Sequence, residues 1–507
     1  MKFLNRILAA LPLVFLSACE EKPAPVPAEK IPLELTDEKL EFSAAGGKET
    51  IGIKASAKPS VVGLYDWCSW KNREEGSNRY SLDITVKENA GAARSAEFSI
   101  ICGDEKKKLT ISQEGVDPLA FLETPGLPDN VATKLASELG IGWNLGNQMD
   151  AQVNGVASET AWGNQKTTQT CFDKLKALGF STVRIPVTWL GHIGEAPEYK
   201  IDEAWLDRVA EIVGYAEKAG LKAIVNIHHD GADSKYWLDI AGAAANSELQ
   251  SQILAEITAV WGQIAAKFAD KGDFLIFEAF NEIHDGNWGW GANRNDGGAQ
   301  YRCLNEWNAA FVKAVRAAGG YNTERLLGVP AYCTNIDLAI ESFVLPEDSV
   351  KDRLMLSVHC YDPGDYCLNA KKSQWGHTAD ASKKVAGDNE ADLKASFDKL
   401  YEHYVSKGIP VYIGEFGCVN RSSAVEQAFQ QYYLSFYAKL SALYGVPSML
   451  WDNGAGGSGN ESFGYINHSS GEFISDGSES AIKSIIDSYK SDATLKDIYT
   501  KAPENKQ

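Results

Sequence analysis

The sequence predicts a (β/α)8 barrel preceded by a small all-β sandwich. Three observations carry the prediction. From about residue 135 the chain alternates short apolar runs with amphipathic helical stretches. Polar residues cluster at the C-terminal ends of those runs, where a barrel keeps its chemistry. Ahead of them, residues 31–116 hold only short alternating runs divided by turn residues, the signature of a sandwich.

Taken in order, the chain starts with Lys2 and Arg6 and a short apolar stretch from Ile7 to Leu16. That is the layout of a secretion signal, too short to span a bilayer. It ends in Leu16-Ser17-Ala18-Cys19, which resembles the bacterial lipobox. The resemblance implies removal of residues 1–18, lipidation of Cys19 and attachment to a membrane. Residues 19–30, with their prolines, read as a tether. Glu20 and Glu21 are similar to the acids that follow the lipidated Cys in Bacteroidetes lipoproteins, and they imply outward display on the outer membrane. A plain small-residue cleavage site is the competing reading.

Residues 31–116 contain KLEFSA, ETIGIKA, YSLDITVKE, SAEFSIIC and KKLTISQE. Trp67-Cys68-Ser69-Trp70, Ile84 to Asn89, Arg94 and Ile111 to Gly115 resemble the BACON domain of glycan-degrading enzymes. That resemblance leaves two roles open, carbohydrate binding or a spacer. Trp67 and Trp70 are expected half in the core and half on the surface. Residues 117–134 read as a linker, and residues 135–507 as the barrel domain.

Eight strands are predicted in the barrel, at 140–147, 182–187, 222–228, 274–280, 326–330, 354–361, 410–415 and 447–453. Helical stretches lie between them, one of them ending at Gly220 as a helix should. A doubly wound sheet would also alternate, but no GxGxxG opens the first helix.

Net charge is −19, which disfavours nucleic acid as a partner. A monomer is expected. Eight cysteines follow Cys19, with no CxxC pair to suggest structural zinc. Free buried thiols are expected, with Cys68–Cys102, Cys360–Cys367 and Cys360–Cys418 as candidate disulfides.

Chemistry follows from side-chain parity at the strand ends. Arg184 alternates with Val183 and Ile185 and points into the barrel, where it needs an anionic partner. Strand three ends in His228-His229-Asp230. Parity turns His228 inward and argues against a zinc-chelating pair; His229 is either functional or outward packing. Glu282 ends strand four, and Glu278 lies too deep for a substrate. His359 and Tyr361 share one parity on strand six. Glu415 ends strand seven and Trp451 lies on strand eight. Two carboxylates at the mouths of two strands suit a retaining glycosidase. No metal and no cofactor is expected.

Asn281-Glu282, Gly414-Glu415-Phe416-Gly417, Arg184, the histidine pair, His359 with Tyr361, and Trp451 together resemble glycoside hydrolase family 5. Subfamily 4 fits best, through Gly142 to Asn147, Glu159 to Asn164, Val183 to Trp189 with His192, and Ser373 to Gly376. The resemblance implies Glu282 as general acid/base and Glu415 as nucleophile. It implies Asn281 on the sugar 2-hydroxyl, Arg184 and Tyr361 orienting Glu415, and His228 and His359 lining the pocket. Trp451 would form the floor, with Asn147 and His229 as further substrate contacts; Trp189 and Trp375 are stacking candidates for the substrate that could instead be barrel-rim packing. Glu282 is expected to rest protonated beside ionised Glu415. The implied substrates are β-1,4-glucans: cellulose derivatives, mixed-linkage glucan and xyloglucan. A dedicated endo-xyloglucanase is the alternative. A non-catalytic glycan-binding protein is disfavoured because both carboxylates are present. Trp162, Trp288 and Trp290 are stacking candidates that could equally be rim packing.

Overall fold

The computed structural model describes residues 31–505; Cys19, the signal segment and the tether lie outside them. The chain divides into two compact units between Ala120 and Phe121.

The first unit holds eight strands: β1 Glu34–Leu35, β2 Lys39–Phe42, β3 Gly47–Lys54, β4 Ser60–Val62, β5 Cys68–Gly76, β6 Arg79–Val86, β7 Arg94–Cys102 and β8 Glu105–Gln113. They form two four-stranded sheets, ordered β1-β3-β6-β5 and β2-β8-β7-β4. Alternation decides what is buried: Ile51 and Ile53, Leu82 and Ile84, Phe98 and Ile100, Leu109 and Ile111 all point into one core. Each contributes about 1.5–3 kcal/mol by leaving water. Trp67 is half-buried beneath the Arg94 guanidinium, 4.5 Å from its ring, while Trp70 is exposed. Cys68 and Cys102 do not pair. They belong to different sheets, and the Cys102 thiol donates to Ala57 O.

In the second unit the eight predicted runs are the eight strands of a closed parallel barrel. They are β9 Gly142–Asn144, then, after the short hairpin of β10 Gln152–Val153 and β11 Val156–Ala157, β12 Thr182–Ile185, β13 Lys222–Asn226, β14 Leu275–Glu278, β15 Leu327–Pro330, β16 Leu354–Cys360, β17 Val411–Phe416 and β18 Ser448–Leu450. Strands β13 and β14 stop sooner than predicted, and this matters at the site.

The helix Glu203–Ala219 shows how sequence sets a boundary. Asp202 caps its first turn, and Gly220, at φ 68°, turns left-handed to close it, a conformation that suits glycine. Trp205, Val209, Ile212, Val213 and Ala216 form its buried face, at helical spacing.

The helix Val131–Leu139 begins inside the stretch read as linker, capped by Asn130. Its Leu135 and Leu139 pack with Ile224, Ile276, Met355, Tyr412 and Met449, closing the N-terminal end of the barrel. Cys360 and Cys418 are free, as is Cys367. The Cys360 thiol bonds Asp362, and burial pushes the Cys418 thiol up to about 12, which makes it inert. Among the described residues no helix is long and apolar enough to cross a membrane.

Candidate active site

Arg184 organises the centre of the barrel. It is fully buried on β12, and three of its nitrogens reach different strand ends. Nε donates to Glu278 Oε2 at 2.8 Å. Nη1 donates to Glu415 Oε1 at 2.7 Å and to Asn144 Oδ1 at 3.1 Å. Nη2 donates to Asn281 Oδ1 at 2.9 Å. The anionic partner expected for Arg184 is therefore two carboxylates rather than one. The deeper one, Glu278, also accepts from Asn226 Nδ2, Ser357 Oγ and Tyr412 OH at 2.9, 2.6 and 2.8 Å. Burial would raise the Glu278 carboxyl, but the Arg184 and His359 charges and these hydroxyls outweigh it and hold it below the usual range.

Glu415 reaches the site through a break in strand regularity. The Tyr412 hydroxyl meets Glu278 inside the barrel, and Phe416 stacks outward on Tyr437 at 4.3 Å. Between β16 and β17 the register slips, pairing Val358 with Ile413 and then His359 with Glu415. Gly414 is the extra residue of this bulge, which re-aims its neighbour. A Cβ at Gly414 would lie 2.9 Å from His359 Nε2 and 3.4 Å from Arg184 Nε, so the close approach requires glycine. Asn144 Nδ2 holds the bulge by donating to Gly414 O at 2.8 Å. Tyr361 OH donates to Glu415 Oε2 at 3.0 Å.

Glu282 lies beyond the end of β14. The chain leaves the strand after Glu278, so Asn281 and Glu282 both face the site, while Phe280 turns away to Trp307. His359 Nδ1 lies 2.7 Å from Glu282 Oε1. One carboxylate oxygen of Glu282, one of Glu415 and a His359 nitrogen all fall within 4.8 Å of one another. The expectation that Glu282 rests protonated is overturned for the unliganded site. Burial raises its carboxyl, but the His359 hydrogen bond, with His359, His284 and Arg184 charges, holds it below its ordinary value.

The cellulase model (glycosyl hydrolase family 5) matches residues 146–457, and the BACON model, an N-terminal binding domain, matches residues 61–114. The chain belongs to glycosyl hydrolase family 5. It is similar to endoglucanase A of Paenibacillus barcinonensis, 38% identical over 64% of this chain and 83% of that one. It is similar to the xyloglucan-specific endo-beta-1,4-glucanase BoGH5A of Bacteroides ovatus, 31% identical over 82% and 84% of the two chains. Among solved structures it is similar to a GH5-4 broad specificity endoglucanase from Bacteroides salanitronis, 54% identical, with a TM-score of 0.70 and 73% and 97% coverage.

Around the carboxylates of this family 5 chain, the other predicted residues divide. Trp451 belongs to the site: its ring faces His228 at 6.1 Å and 5°, and it packs with Val419, Phe463 and Tyr361. Gly146 lets the indole approach, since a Cβ there would meet it at 2.8 Å. Trp189 and Trp375 are corrections. Trp189 is fully buried, donating its indole N–H to Asn226 O. Trp375 is sealed among Tyr432, Tyr433 and Phe436. Neither can stack on a sugar. Asn147 contributes backbone: at φ 53°, its N–H donates to Asp150 and its O accepts from Asn164. Trp162, Trp288 and Trp290 are exposed.

The histidine pair departs from the parity expectation. Because β13 ends at Asn226, both rings turn to one place, 4.4 Å apart, and their nitrogens lie within 4.8 Å of an Asp150 oxygen. His229 Nε2 is 3.8 Å from Asp150 Oδ2. The set has metal-ligand chemistry, but the hydrogen bonds around it oppose a cation. Asn226 Oδ1 accepts from Val187 N, which fixes the amide, so its Nδ2 donates to His228 Nδ1. His228 then carries its proton on Nε2 and has no lone pair to offer. That N–H points towards Glu415, 4.0 Å away. Burial, with the His229, Arg184 and His359 charges, holds His228 well below its ordinary value, so it stays neutral. Burial pushes Asp150 up to about 7, against three backbone N–H donors, those of Gln148, Asn147 and Asp150 itself.

Sequence reasoning passed over Asn144, Asn226, Asp150 and the role of Glu278. The signal was present for three of them: a polar side chain within a short apolar run has to be buried with a partner.

Proposed function

We propose that this chain is a retaining endo-β-1,4-glucanase with Glu415 as nucleophile and Glu282 as acid/base. The observation that carries the reading is the approach of their carboxylates, with oxygens within 4.8 Å. Retaining glycosidases hold the two carboxyl groups about 5–5.5 Å apart, whereas inverting ones leave about 6.5–9.5 Å for a water.

The surroundings divide the labour. Arg184 and the Tyr361 hydroxyl bond Glu415 and orient its carboxylate, ready to bond the anomeric carbon while Glu282 gives its proton to the departing oxygen. In the second step Glu282 takes a proton from water, and that water breaks the glycosyl–Glu415 bond. Asn281, held by Arg184, is placed for the sugar 2-hydroxyl, and Trp451 for the ring's apolar face. Glu282 has to be protonated before the first step. A sugar packed over it removes water and raises its pKa, because desolvation disfavours the charged form.

Cellulose derivatives, mixed-linkage glucan and xyloglucan are the substrates this reading assigns. Similarity to a broad-specificity endoglucanase at 54% identity favours it over a dedicated xyloglucanase. The xyloglucan-specific relative, which matches most of the chain, keeps that second reading in view. Side-by-side hydrolysis of carboxymethyl cellulose, barley β-glucan and xyloglucan decides between them: comparable rates support the first, xyloglucan alone the second. Proton NMR of the first product, showing β-configuration, tests retention.

Leu16-Ser17-Ala18-Cys19 supports anchorage to a membrane through Cys19, and Glu20 with Glu21 supports outward display on the outer membrane; a monomer with the sandwich as spacer completes the proposal. Cys19→Ala then moves the enzyme from the membrane to the soluble fraction.

A further inference from the structure

The loops after β17 and β18 border an open cavity of about 270 Å³ that the glycosidase chemistry does not use. Asn420, Arg421, Gln427, Ser458, Ser475 and Gly477 line it. Arg421 is only 6% exposed. Its guanidinium lies over the Tyr366 ring at 4.6 Å, and Nη2 donates to Tyr366 O. Its Nε has no hydrogen-bond partner, and among the described residues no carboxylate pairs with it. A cation so far out of water without a counter-charge is costly.

The same cavity receives the start of one helix. Ser475 caps Asp476–Lys490, a helix of 15 residues, with Gly477 in its first turn. First-turn N–H groups lack intrahelical acceptors and carry the positive end of the helix dipole. The acids of that turn, Asp476 and Glu479, are exposed, and neither pairs with Arg421. Loops after strands seven and eight, together with a helix start, are where barrels of this architecture commonly hold phosphate.

We propose that this cavity binds a compact oxyanion, whose charge pairs with Arg421 and whose oxygens accept from Arg421, Ser458 and the first turn of Asp476–Lys490. Free phosphate and the carboxylate of an acidic sugar share this chemistry.

The test is thermal unfolding of the full chain in inorganic phosphate or in glucuronate, each against sodium chloride at equal ionic strength. The expected result is a saturating rise of about 3–6 °C in the barrel transition. A rise with phosphate alone identifies a free oxyanion; a rise with glucuronate alone identifies an acidic sugar. Arg421→Gln abolishes the rise. Ser458→Asp supplies a resident carboxylate beside an intact Arg421 and also abolishes it, so it decides the matter if Arg421→Gln fails to fold. Equal melting in all three salts, or a rise that survives Ser458→Asp, overturns the proposal.

Discussion

Glu415 and Glu282 are the same residue type at two strand ends, yet their surroundings differ in kind. The Glu415 side chain is 8% exposed and touches a permanent cation and a phenol. The Glu282 side chain is 21% exposed and touches an imidazole. Arg184 is a permanent cation, so the contacts of Glu415 stay fixed. Glu282 is more open to solvent, so a sugar packed over it changes its surroundings. The difference teaches that role is set by what surrounds each carboxylate, as in other carboxylate pairs.

That contrast can be broken from its strong side first. Glu415→Ala removes the covalent route, and kcat for barley β-glucan falls roughly 10⁴- to 10⁶-fold; full retained hydrolysis would end the assignment. Glu282→Ala should cost about 10²–10⁴-fold on polysaccharide. On an aryl glycoside whose leaving group needs no proton, the glycosylation burst should survive, and burst kinetics read this directly. Equal losses on both substrates would mean that Glu282 is not the acid.

Glu278→Gln probes the far end of the Arg184 network. Removing one partner of a buried ion pair destabilises by about 3–5 kcal/mol, measured by urea unfolding of the barrel. Glu278 is held below its ordinary value, so its contribution is complete above the unfolded carboxylate range. It is lost as pH falls through the lowered value, and the gap between wild type and variant should close there.

His359→Ala sharpens the other side. His359 holds Glu282 down, so its removal raises the Glu282 pKa and moves the basic limb of kcat/KM to higher pH. An unmoved limb would separate the two groups. The smallest effect is expected at the rim, where Trp290→Ala lowers kcat/KM by roughly 2- to 10-fold through lost stacking.

The architecture was legible because each barrel strand is an apolar run and each helix carries its own period and stop. The site was legible where strands stay regular. On β16, seven residues long, parity put His359 and Tyr361 on one side, and each reaches a carboxylate of the site. Parity failed on β13, which ends early and releases His229 from alternation; beyond β14, Asn281 reaches the site as the chain leaves the strand, as expected. It could not show the bulge at Gly414 either, since register is a property of two strands. Trp189 and Trp375 were misread for a different reason: an indole in a rim segment has the same sequence signature whether it faces a sugar or seals a helix.

The helix Val131–Leu139 seals the floor of a barrel whose interior is already filled by Arg184, Glu278 and Tyr412. With Leu135 and Leu139 packed against Met355, Tyr412 and Met449 at one end, nothing can thread through. A substrate can reach the carboxylates only from the C-terminal mouth, and its products leave by the way it came.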